Sequence, residues 1–147
     1  MKLPQYITTA EVQRVCRELG LRDWTELKEP AVLPEEAARI RSEVGGEALL
    51  VSEEAFRQGL EVELEHGTRF PETNVTNNHP LLTGRIVAAH LKESLDYYLR
   101  LAVAELEGDL LKEMRAGDFQ KAATKYNLLV EARLKLAQAE GDRLAGK

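Results

Sequence analysis

Most of the features that commonly announce a function are missing from this chain of 147 residues. Its one cysteine, Cys16, cannot close an intrachain disulfide, and no Cys/His spacing of a zinc finger or ribbon is present. Aromatic residues amount to only 5%, so the core must come from Leu, Val, Ile and Ala, which suits closely packed helices. The formal net charge is -5, and no basic run supplies the electrostatic footprint of a nucleic-acid binder. No apolar run approaches the ~20 residues needed to span a bilayer. The opening MKLPQYITTAEV also lacks the apolar centre of a secretion signal. A Gly-rich phosphate loop and a nucleophile elbow are both absent, and Ser42, Ser52 and Ser94 have no triad spacing. Apart from a brief apolar ALLV at 48–51, nothing alternates with the period of a strand. These absences predict a cytoplasmic all-α protein with no organic cofactor, no nucleic-acid partner and no membrane association.

With 44% hydrophobic and 31% charged residues, the chain reads as one globular domain over 1–147. Helix start signals divide it. Thr8 with Glu11 three residues on forms a capping box, Val12, Val15, Cys16 and Leu19 recur at helical spacing, and Gly20 ends the run. Cys16 lies on that apolar stripe and reads as core, and Trp24 is expected to plug one end of it. Pro34-Glu35-Glu36 opens a short helix that ends at Gly45-Gly46. Ser52 caps the next, which runs to about Gly67. From Leu81 to Gly117 the pattern is helical without a proline, and Asp118 caps a last helix. The segments are therefore 1–50 (short N-terminal helices), 51–117 (helix-loop-helix) and 118–147 (C-terminal helix). The expected fold is a helical bundle built around a long antiparallel hairpin.

All three histidines lie between residues 60 and 98. Glu63-x-x-His66 precedes the loop GTRFPETNVTNNHP, and His90-x-x-Glu93, the same pair reversed, follows it. At 100° per residue, Glu54, Gln58, Glu61 and Glu65 share the solvent side of the first helix, while Glu63 lies amid Phe56, Gly59 and Leu60. A carboxylate aimed at a core needs a partner, a metal or a proton. In the second helix Ile86, His90, Glu93, Tyr97 and Leu101 form one stripe, and Ala88, Leu95, Leu99, Ala102 and Leu106 form an apolar back. Folded back antiparallel, reversed pairs bring His level with His and Glu level with Glu.

Two imidazoles and two carboxylates suit Fe, Mn or Zn, with Glu63, His66, His90 and Glu93 as ligands and Tyr97 orienting one of them. A mononuclear site fits better than the di-iron bundle pattern, which needs further inward glutamates. Two other readings stay open: a hydrogen-bonded Glu/His network without metal, and acid/base catalysis by the same groups. His79, alone before Pro80, is expected at the surface. The loop is expected to be ordered, with Phe70 and Val75 packed near His66.

Residues 56–98 resemble a family of small microbial and phage-associated proteins, a domain of unknown function. The resemblance rests on ELEHG (Glu63 to Gly67), PETNVTN (Pro71 to Asn77), LLTGRI (Leu81 to Ile86, LLTGKI in the family) and AHLKESLDYY (Ala89 to Tyr98, AHLxExPDYY in the family). It implies that Glu63, His66, His90 and Glu93 belong to one unit, and it brings no activity with it. Two departures stand out. NNHP replaces an acidic pair before the proline, and the missing proline before Asp96 predicts an unbroken helix there. That helix, with its partner to Leu144, would reach about 50 Å and project from a domain about 30 Å across. A homodimer or higher homo-oligomer is therefore expected, and a self-associating module with a purely structural Glu/His network is the alternative function.

Overall fold

The computed structural model describes residues 6–146, and no strand occurs among them. The described residues form six α-helices: α1 (Thr9–Leu19), α2 (Pro34–Val44), α3 (Glu53–Arg69), α4 (Pro80–Glu93), α5 (Tyr97–Ala116) and α6 (Phe119–Leu144). The all-α reading is therefore correct. No described helix is long and apolar enough to cross a membrane. The chain divides into two compact units, Met1–Leu95 and Asp96–Lys147.

In the first unit the local signals act as the sequence implies. Thr8 accepts from the Glu11 N–H at 3.2 Å, Ser52 accepts from the Ala55 N–H at 3.1 Å, and Gly20 closes α1 at φ 62. The Glu11 carboxylate turns to Arg14. Trp24, Ile40, Phe56 and Leu60 are wholly shielded from solvent, each contributing roughly 1.5–3 kcal/mol of apolar burial. Cys16 joins them, and burial pushes its thiol up from its ordinary value. Helix α4 lies close on α2 because Gly84 has no side chain: a Cβ there would meet Ile40 Cγ2 at 2.8 Å and Val44 Cγ2 at 2.9 Å.

The predicted unbroken helix from Leu81 to Gly117 does not form. It ends at Glu93, Ser94 is extended (φ -160, ψ 133), and a new helix starts after Asp96. The absence of proline does not keep it going, because Asp96 is better placed outside a helix than inside one. Buried to 3% exposure, its carboxylate takes both arms of Arg100 at 3.0 Å and stands at the positive end of α5. Arg143 adds a contact at 3.3 Å.

The second unit is an α5–α6 hairpin turned by Gly117 (φ 73) and capped by Asp118, which accepts from the Lys121 N–H at 3.0 Å. The pairs Arg100–Glu140 and Arg133–Glu107 run in opposite senses along the two helices, so the hairpin is antiparallel. It is shorter than the predicted one because the break removes residues before Asp96 from it.

Candidate functional site

The first unit places Glu63 as its periodicity requires. Of the six glutamates between residues 47 and 65, its side chain is the most buried, at 9% exposure against 66% for Glu53 and 57% for Glu54. Glu61 is less solvated than its helical face suggests, since it accepts from the Val32 N–H at 3.0 Å.

The Glu63 carboxylate stands between two imidazoles. Its Oε1 is 3.5 Å from His90 Nε2, and its Oε2 is 3.8 Å from His66 Nδ1. His90 is 29% exposed, whereas His66 lies at the margin at 67% and also has its Nδ1 3.3 Å from the Glu63 carbonyl. Glu63 and His66 open onto a cleft of about 270 Å³ between α3, α4 and the loop, with Thr73, Asn74, Thr76 and Thr83 on its wall.

The expected level pairing of His with His and Glu with Glu is not what the packing gives. Helix α4 buries Thr83, Gly84, Val87, Ala88 and Leu91. On a 100° wheel the stripe Ile86, His90 and Glu93 is the rim of that face, with Glu93 furthest out. His90 therefore meets Glu63, and Glu93 is exposed. Tyr97 falls beyond the helix break, in the second unit, where its ring meets Tyr98 edge-on at 5.2 Å. Of the four expected ligands, the structure joins Glu63, His66 and His90. Among the described residues, no three His, Cys, Asp or Glu side chains are already arranged to hold a metal ion.

The loop behind the cleft is ordered by polar side chains. Phe70 and Val75, the expected apolar pins, are 52% and 83% exposed. Asn74 and Asn78 bond to one another instead, Nδ2 to Oδ1 at 3.1 Å, and Asn78 Nδ2 reaches the Trp24 carbonyl at 3.5 Å. Asn77 Nδ2 donates to the Ile7 carbonyl at 3.3 Å. Both Asn77 and Asn78 adopt left-handed backbone (φ 50 and 55), which asparagine tolerates better than most residues. This brings Asn78 against the end of α3, where a Cβ on Gly67 would lie 1.9 Å from its Oδ1.

His79, expected at the surface, is 7% exposed and caps α4, its Nδ1 accepting from the Leu82 N–H at 3.4 Å. Burial holds its imidazole below the ordinary value.

Sequence reasoning also missed Glu36 as a hub. At 2% exposure it accepts from the Arg22 N–H (2.9 Å), the Arg22 guanidinium (2.7 Å) and the Leu33 N–H (3.1 Å). Burial alone would raise its carboxyl, but these donors hold it below the usual carboxylate range. Its place three residues after Leu33, in the capping-box position, was the available signal.

Comparison with known proteins adds a family. Residues 12–107 match the one described as "Protein of unknown function (DUF5661)", a span that contains Glu63, His66, His90 and Glu93. No curated protein and no solved structure matches the chain.

Proposed function

The chain belongs to this family of proteins of unknown function; membership brings no activity with it, and from the geometry of the first unit we propose a binding site for a single divalent transition-metal ion. Glu63, His66 and His90 are its ligands, and the cleft is its open side. The carrying observation is the position of one nearly buried carboxylate between two imidazole nitrogens, at 3.5 and 3.8 Å. Neighbouring donors on a tetrahedral ion with ~2.1 Å bonds stand about 3.4 Å apart, so the Glu63–His90 separation already suits shared ligation while His66 must move in. His66, the exposed member, supplies that movement by turning its side chain toward the ion. Two imidazoles and a carboxylate suit Fe(II), Mn(II) or Zn(II), and three protein ligands leave a position for water or a small ligand from the cleft.

Calorimetric titration with Zn(II), Mn(II) and, under anaerobic conditions, Fe(II) tests this. Glu63→Ala and His90→Ala are expected to abolish binding, and His66→Ala to weaken it. Glu93→Ala, at an exposed position, is expected to bind as the unaltered chain does. Absence of heat and of thermal stabilisation with all three metals would overturn the proposal.

The exposure of His66 favours a second reading, in which Glu63 and His90 tie α3 to α4 without any ion. Under that reading His90→Ala lowers stability while added metal changes nothing.

A further inference from the structure

Helix α5, 20 residues long, contains no buried residue, and α6 buries only Ala122 and Leu129. A hairpin of two helices covers one face of each, so apolar residues on a second face remain open. Here they are continuous. Near the closed end, Leu110, Leu111 and Met114 of α5 and Tyr126 and Leu129 of α6 line a groove of about 380 Å³, with the Glu107–Arg133 pair beside it at 2.6 Å. At 100° per residue, Phe119, Tyr126, Val130 and Leu134 fall within about 80° of one another on α6, while Leu128 lies well over 100° from the middle of that stripe. Leu111, Phe119 and Leu134 are 62%, 69% and 66% exposed.

Charge narrows the choice of occupant. The sequence of the second unit balances nine acidic residues with nine Lys and Arg, whereas the first has 16 acidic residues against 11. The hairpin has no net charge to draw a strongly charged peptide, and a second neutral hairpin meets no net repulsion. The area fits as well. Leu111, Met114, Phe119, Tyr126, Val130 and Leu134 together expose on the order of 600 Å² per copy, near the ~800 Å² per partner of a standard interface. A patch of that size stands at the upper end of those found on monomers, where such patches often serve a function.

We propose that this face docks against its counterpart on a second copy of the chain about a two-fold axis, closing two hairpins into a four-helix bundle. The interface is thereby placed on the Leu111–Tyr126–Leu134 side. Leu99 and Leu106 of the apolar back take no part in it, being half-buried. The proposal is independent of the metal reading, because it uses no residue of the first unit.

Sedimentation of the full chain from low to high micromolar concentration tests it. The unaltered chain and Leu128→Glu are expected to show a two-chain mass. Leu111→Glu and Leu134→Glu are each expected to weaken dimerisation at least 100-fold with the first unit still folded. Should a glutamate unfold the hairpin, Leu111→Ser and Leu134→Ser read the same weakening more gently, at least tenfold. A one-chain mass for the unaltered chain at every concentration overturns the proposal. So does a dimer whose affinity is unchanged by these substitutions.

Discussion

The first unit folds four helices around fully shielded side chains and polar hubs, whereas the second lays two long helices side by side that bury only Ala122 and Leu129 among their described residues. Glu36, Asn78, His79 and Thr83 are all buried in the first unit, and the bonds of Glu36, Asn78 and His79 reach to backbone donors or acceptors. In the second unit Asp96 is the one buried carboxylate among the described residues, and the other cross-helix contacts, such as Arg133–Glu107, join side chains that are partly exposed. Buried polar hubs specify one arrangement and are costly to disturb, while exposed ion pairs contribute little. The difference suits a first unit that holds a site in fixed geometry and a second that presents a surface.

The largest test of that contrast is Glu36→Gln. It removes the charge facing Arg22 while keeping the shape, and is expected to cost about 3 kcal/mol in denaturant unfolding. The Glu36 carboxyl is held low in the fold, so its contribution is complete above the unfolded carboxylate value and disappears as pH falls through the folded one. The variant should therefore lose less stability than the unaltered chain on acidification.

Gly67→Ala comes next. Alanine favours a helix by ~1 kcal/mol, yet its Cβ would lie 1.9 Å from the buried Asn78 Oδ1 and 2.8 Å from Asn74. Overpacking is expected to win by about 1–2 kcal/mol, with faster amide exchange through residues 74–79.

A smaller effect is expected from His79. Its folded value is depressed, so its contribution is complete above the unfolded value near 6.5 and falls away as pH drops below it. A protonated ring can no longer accept from Leu82. His79→Asn, which supplies a better cap, should flatten the melting temperature between pH 7 and 5.5. A drop of unchanged size in the variant would place the acid sensitivity elsewhere.

Least is expected of Glu107→Gln in the second unit, under 1 kcal/mol, because both partners in its ion pair are about half exposed. A cost as large as that of Glu36→Gln would erase the contrast between the units.

What could be read in advance follows the range of the interactions. Thr8, Pro34, Ser52 and Asp118 announce helix starts through neighbours within three residues, and Glu63 shows its inward aim through the helical period alone. The break after Glu93 is another matter, since Asp96 draws on Arg143 far along the chain. The loop eluded the reading in the same way: its composition signals irregular backbone, but its order comes from an Asn77 bond to a carbonyl 70 residues away. His79 was misplaced because histidine is a rare cap, and nothing local shows that its ring turns inward. The approach of Glu63 to the two imidazoles was legible in the helical period, but the outward place of Glu93 was not, because the small residues of α4 decide it by choosing the buried face.

Only three histidines exist to report on the proposed metal site, and they stand in different surroundings. The most direct measurement is therefore the nitrogen-15 spectrum of the imidazoles as Zn(II) is added to the full chain. Signals from His66 and His90 are expected to move together and saturate at one equivalent, with His79 unchanged at its cap, and Glu63→Ala should remove the response. Still spectra at saturating Zn(II), or a response confined to His79, would contradict the account.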